Sequence, residues 1–243
     1  MVAVAVAAGP VSAGEIMVLT GGAYRAVVVA VVPTFEQQTG HKVTVVNDTV
    51  GALVRCIGAG EAFDVVVVTP AAIERLAREG KVVRGVRTDL AKVGVGVMVR
   101  AGAPKPDVST VEAFKRAVLD AKSIAYIDPE SGGSSGIYVA GLLARLGIAE
   151  QVKGKTRLKK GGHVSDFVLS GEAALGIHQM SEIVSTEGID LVGPLPAEIQ
   201  NYTTYAAGIG TAVRDRAAAE GLIRTLAGPA AAQVLAARGM LRP

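Results

Sequence analysis

The chain has 243 residues, half of them apolar and 19% charged, with a formal net charge of +3. That balance supports a substantial packed core and excludes a disordered polyelectrolyte. Aromatic residues make up 4% of the total, Trp is absent and the basic residues are scattered, which excludes both a base-stacking surface and a phosphate-tracking patch for nucleic acid.

Residues 1–13 read MVAVAVAAGPVSA: an apolar run, a Gly-Pro break, then small residues ending in Val11-Ser12-Ala13. This pattern predicts the remnant of a secretory signal peptide cleaved after Ala13, hence a periplasmic protein, although the basic segment that normally opens such a leader is missing. A buried first strand is the alternative. No later run approaches the roughly 18 apolar residues that span a bilayer. Cys56 stands alone, so no internal disulfide can form. Set among Leu53, Val54 and Ile57 on a predicted helix, it reads as a buried, inert thiol.

The remaining pattern alternates strand and helix. Ile16–Thr20 is a β-branched strand, followed by a helix over Ala23–Gln38 that stops at Gly40. Val43–Asn47 is the next strand and Val50–Ala59 the next helix. Asp64–Thr69 is a continuous apolar run, as expected of a parallel strand covered on both faces, and Pro70 opens the helix after it. Val93–Arg100 is a Gly-interrupted strand. Ser109 or Thr110 caps a helix to Asp120. Ser123–Ile127 is a strand, followed by the loop DPESGGSSG and a helix to Leu146. A helix near Val164–Leu169, a strand at Ala174–His178, a strand at Tyr202–Ile209 and two final helices, Asp215–Ala227 and Pro229–Arg238, complete the series.

This order predicts an α/β fold of two doubly wound lobes joined by two crossover strands. Residues 14–97 plus 203–243 form lobe 1 and residues 98–202 form lobe 2, with crossings near 97–100 and 196–204. A single open sheet without a cleft is the competing arrangement.

In open α/β sheets, ligands collect where strands end and helices begin. Four such loops stand out: Thr20–Tyr24, Asn47–Gly51, Asp128–Tyr138 and His178–Glu182. In the third, glycines precede Ser134 and Ser135 at a helix start, where free N–H groups and the helix dipole favour an anion; the same serines could merely cap the helix. His178 ends a strand, where it is either a cleft residue or a core histidine, and His163 lies in a Gly-rich loop. No His/Cys/Asp/Glu cluster has metal-ligand spacing, and neither a nucleophile elbow nor a P-loop is present. No metal and no cofactor is expected.

The runs TGGAYRAVV, FEQQTGHKVTV, GEAFDVVVVTPAAIERLAREGKV, VGVGVMVRAGAPKPDVSTVEAFKRAVLDAKSIAYIDPESG and GEAALGIHQMSEI together resemble the molybdate-binding branch of the type II periplasmic solute-binding proteins. The resemblance covers the chain from about Glu15 onward. It implies a monomer that takes a small anion, carboxylate or oxyanion, and works with the membrane subunits of an ABC transporter. The ligand would be held by hydroxyls and backbone amides at Gly22, Ala23, Tyr24, Thr49, Val50, Gly51, Ser134, Ser135 and Gly136, and more loosely by Ser165 and Ser181. The loops GGAY and TVGA depart from the serine-bearing loops of molybdate binders and remove two expected hydroxyls. The runs VGPLPAEIQ, IDPESG and HQMSEI also resemble aconitate-isomerising proteins of the same fold. That resemblance implies a proton-shift isomerase as the alternative, for which His178, Glu182 and His163 are the candidate acid–base residues.

Overall fold

The computed structural model describes residues 14–243, so the expected leader at residues 1–13 lies outside the described residues. Strand β1 (Glu15–Gly21) runs into helix α1 (Gly22–Thr39), which ends at Gly40 with φ of 76°. That left-handed conformation is free of steric cost only without a Cβ. β2 (Lys42–Asp48), α2 (Val50–Gly58), β3 (Val65–Val68) and α3 (Pro70–Arg78) follow. β1 pairs in parallel with both β2 and β3, the expected result of right-handed βαβ crossovers.

The next strand, β4 (Val82–Arg100), is longer than the sequence suggests. Arg84, Gly85, Arg87, Asp89 and Lys92 break up its apolar pattern before Val93, which hides the first half. Then come α4 (Val111–Asp120), β5 (Ile124–Ile127), α5 (Ser134–Arg145), α6 (Ala149–Val152) and β6 (Thr156–Lys159). Thr110 caps α4 by accepting from the Ala113 N–H. The polar strand β6 (TRLK) has no period-2 apolar signal that would mark it in the sequence. The chain closes with α7 (Ser165–Ser170), β7 (Leu175–Gln179), α8 (Met180–Ile183), β8 (Ile189–Pro194), β9 (Tyr202–Gly210), α9 (Arg216–Ala227), α10 (Pro229–Ala237) and β10 (Met240–Leu241).

The strands lie in the order β2-β1-β3-β9-β4-β7-β5-β6, with β8 and β10 also pairing to β4. β4 carries the chain from one lobe to the other: it is antiparallel to β9 from Val82 to Gly94, then to β7 from Val95. β9, arriving near the end of the chain, slots antiparallel between β4 and β3 and completes lobe 1. In lobe 2, β5 pairs in parallel with β6 and β7. This is the two-lobe type II binding-protein fold.

The central strands of each lobe are covered on both faces, whereas the edge strands β2 and β6 leave Val46 and Leu158 exposed. Along β3, Val65 and Val67 join the core under α1 and α9, while Val66 and Val68 join the core under α2 and α3. The period-2 alternation of a strand sends them to opposite sides, and all four are fully buried. Each such burial contributes roughly 1.5–3 kcal/mol. In lobe 2, Val95 and Val97 pack with Phe114, Leu142 and Ile177, whereas Met98 packs with Ile127 and Val168 on the other face. Cys56 is exposed, which corrects the expectation of a buried thiol. The buried face of α2 is Leu53, Val54 and Ile57, and the 100° step from Ile57 turns Cys56 outward beside Arg55.

Candidate functional site

Strand ends from both lobes converge on one cleft. Lobe 1 supplies Gly22 and Ala23 at the start of α1, residues 47–50 from the end of β2 to the start of α2, and Tyr205 from β9. Lobe 2 supplies Ile127, Gly133, Ser134 and Ser135 before and within α5, then Gly162 and His163, and finally His178, Gln179 and Glu182. The cleft is narrow, with room of about 40 Å³ for water. A larger hollow around Pro104, Arg116 and Leu175 draws on lobe 2 alone and gathers none of these loop ends.

Two helices start at the cleft without a side-chain cap. The N-caps of α1 and α5 are Gly21 and Gly133, and neither helix start receives a side-chain hydrogen bond. Uncapped first-turn N–H groups carry the positive end of the helix dipole. The hydroxyls of Ser134 and Ser135 are not caps. Ser135 Oγ lies 3.1 Å from His178 Nδ1, and Ser134 Oγ accepts from Gln179 Nε2 at 3.1 Å. Gln179 Nε2 also donates to Thr203 Oγ1 at 2.9 Å, tying the end of β7 to β9.

His178 and Glu182 face one another because β7 ends at Gln179 and α8 begins at once, so residues four apart share a face. His178 Nε2 is 3.1 Å from Glu182 Oε2, and His163 Nδ1 is 3.6 Å from Glu182 Oε1. His178 and Glu182 are buried and His163 is half-buried. The His178 contact is close but misaligned: its Nε2, like His163 Nδ1 and Gln179 Oε1, is a buried atom without a hydrogen-bond partner. Burial pushes the Tyr205 hydroxyl above its usual range and the charge of Glu182 adds to this, against a smaller opposing effect of a hydrogen bond with Ser134. Tyr205 therefore presents a neutral O–H to the cleft. Among the described lining residues there is no Lys or Arg; the titratable side chains are Asp48, Glu182, His163, His178 and Tyr205. No group of three His, Cys, Asp or Glu among the described residues is arranged to hold a metal.

The lobes also touch at the cleft rim. Thr49 Oγ1 donates to the Ser131 carbonyl at 2.7 Å, and the Gly51 N–H donates to the Gly132 carbonyl at 3.1 Å. There the backbones meet so closely that a Cβ on Gly51 would lie 2.6 Å from Gly132 Cα.

Of the residues expected at the site, Gly22, Ala23, Thr49, Val50, Ser134, Ser135, His163, His178 and Glu182 line the cleft. The others lie elsewhere. Tyr24 is fully buried and donates its hydroxyl to the Leu226 carbonyl at 3.0 Å. Gly51 forms the rim contact. Gly136 packs against β5, where a Cβ would meet the Ile127 carbonyl. Ser165 Oγ lies beside Thr186 Oγ1 at 3.4 Å, and Ser181 donates to the Ala23 carbonyl at 2.9 Å. Tyr205 and Thr203 were not anticipated, because nothing in a strand's own sequence tells which pleat faces a cleft. Gln179, the last residue of β7, is where the strand-end rule points.

Residues 16–241 match the family model described as bacterial extracellular solute-binding protein. The chain is 32% identical over 240 residues to an aconitate isomerase from a Pseudomonas species, covering 96% of this chain and 89% of that protein. It is 30% identical over 238 residues to the molybdate-binding protein ModA of Azotobacter vinelandii, covering 93% and 90%. Among solved structures, the periplasmic molybdate-binding protein of Azotobacter vinelandii superposes with a TM-score of 0.80 at 22% identity, covering 94% of this chain and 100% of that one. No helix among the described residues is long and apolar enough to cross a membrane.

Proposed function

The chain belongs to the bacterial extracellular solute-binding protein family, and from that premise we propose that it captures a small anion between its lobes for the membrane subunits of an ABC-type transporter. It works outside the cytoplasm as a monomer, and an organic carboxylate fits better than molybdate because GGAY and TVGA lack the serines of molybdate binders. One observation carries the reading: the uncapped starts of α1 from lobe 1 and α5 from lobe 2 line the same narrow cleft. An anion bridging them gains N–H donors from both sides, and closure strengthens those bonds by excluding water. A thermal-shift screen against oxyanions and di- and tricarboxylates tests it. A ligand at 100 times its Kd stabilises by about 2.7 kcal/mol, which is roughly 5–10 °C for a chain of this size. If no anion raises the melting temperature, the reading is wrong.

The His178–Glu182 contact favours a second reading, proton-shift isomerisation of a tricarboxylate such as aconitate. A base at Glu182 or His178 would take a proton from an allylic carbon, the C–H electrons would become the new double bond, and the old double bond would receive a proton at its far carbon. NMR of cis- and trans-aconitate with the purified protein separates the two. The carrier leaves both unchanged; interconversion that is lost in a folded Glu182→Gln or His178→Ala variant establishes the isomerase instead.

A further inference from the structure

Glu182 places a carboxylate inside a cleft read here as an anion site, and this bears on which anion can enter. The side chain is 9% exposed. One oxygen faces His178 and the other lies at the start of α1, within 2.8 Å of where a Cβ on Gly22 would stand. It therefore occupies the neighbourhood of the very N–H groups an anion would seek. Among the described residues no Lys or Arg lines this cleft, and Arg25, which borders the neighbouring hollow that Glu182 also lines, forms no ion pair with it; the facing groups are His178, His163 and the Tyr205 hydroxyl. Close by, Gln179 Oε1 is a second buried acceptor without a donor, its Nε2 being committed to Ser134 and Thr203.

We propose that Glu182 is a specificity-determining residue that admits only an anion carrying its own hydroxyl donor, so that the ligand is a hydroxycarboxylate rather than a fully deprotonated tetrahedral oxyanion. The proposal rests on the anion-binding reading above. A sulfate or molybdate ion presents acceptors in every direction. Against Glu182 it would set like charge beside like charge with no proton between them, in a site from which water is excluded. A ligand hydroxyl turned toward Glu182 replaces that repulsion with a charge-assisted hydrogen bond, while the ligand's carboxylates meet the starts of α1 and α5. The unfilled Gln179 oxygen offers a second place for such a donor.

Calorimetric titration at pH 8 with matched pairs tests this: malate against succinate and citrate against tricarballylate, which share their carboxylates and differ by one hydroxyl, together with sulfate and molybdate. In at least one pair the hydroxylated member is expected to bind ten times more tightly or better, and both oxyanions more weakly than that member. Glu182→Gln, which keeps the shape and removes the charge, should cut the hydroxyl preference at least tenfold and improve oxyanion binding. If the parent binds sulfate, molybdate or the hydroxyl-free partner as tightly as the hydroxy acids, the proposal fails while the anion reading stands. The same holds if the folded variant keeps the parent's ratios. Should neither protein bind any of the six, both readings fall. The comparison of pairs in the parent decides the matter even if the variant does not fold.

Discussion

The side-chain amide of Gln200 holds both backbone groups of Val95, accepting from its N–H at 2.9 Å and donating to its carbonyl at 3.0 Å. Val95 is the first residue after β4 changes partner, and Gln200 lies just ahead of β9, so this amide clamps the two crossing segments together. Val95 is fully buried. Its carbonyl also accepts from the Leu195 N–H, but its N–H depends on Gln200. Gln200→Leu should therefore cost about 1–3 kcal/mol, the usual penalty for a buried orphan donor. Urea unfolding checks it, and an unchanged midpoint would show that water replaces the amide.

Gly51→Ala is expected to disturb closure and leave each lobe intact. Its new Cβ would meet the Gly132 backbone, which has no side chain to swing aside, so relief comes from parting the lobes. Small-angle scattering should show a larger radius of gyration without ligand, and anion affinity should fall tenfold or more. The unfolding free energy should stay within about 0.5 kcal/mol. Gly132→Ala is the contrasting case: its φ of 79° makes the substitution strained in itself, so it should lower stability as well.

Ser134→Ala and Ser135→Ala should act on binding. Because Gly133 is the N-cap of α5, neither hydroxyl stabilises the helix start. Removing Ser135 leaves His178 Nδ1 without its partner, and removing Ser134 takes an acceptor from Gln179. The double variant should lose about 1–3 kcal/mol of anion affinity, measured by calorimetry beside a denaturation curve. Loss of stability with unchanged affinity would return the serines to a purely structural role.

Asp64 should make the protein acid-sensitive. Burial pushes its carboxyl up, yet hydrogen bonds from Arg214 and the Met17 N–H outweigh this and hold it below the ordinary range. A depressed native pKa stabilises the fold above the unfolded value, near 4, and that contribution fades as pH falls through the native one. At pH 7 Asp64→Asn should be less stable by about 1–3 kcal/mol. The gap between parent and variant should shrink below about pH 4. A gap that stays constant from pH 7 to pH 3 would contradict the assignment.

Much of this was readable in the residues, and the failures have physical causes. The elements from β1 to α3 follow from clean periodicity closed by Gly40 and Pro70. Thr49, Ser134 and Ser135 follow from asking what stands where strands become helices, and the spacing of His178 and Glu182 follows from a helix beginning at once after β7. The Tyr24 side chain shows that position on a loop says nothing about rotation: two residues past Gly22, the helix has already turned its ring into the core beside Tyr205. Cys56 failed for the same reason. Tyr205 was illegible because β9 reaches the cleft from the far end of the chain, a relationship that no local pattern records.

That late arrival of β9 has a kinetic consequence. β3 pairs with β1 on one side and waits for β9 on the other, and the whole of lobe 2 is synthesised in between. Lobe 2 draws most of its strands from one continuous stretch and so can condense early, whereas lobe 1 must close a contact between opposite ends of the chain, the slow kind of step. Until then β3 shows four valines along an unpaired edge, an invitation to intermolecular strand pairing. A chain cut anywhere before Tyr202 would leave that edge bare.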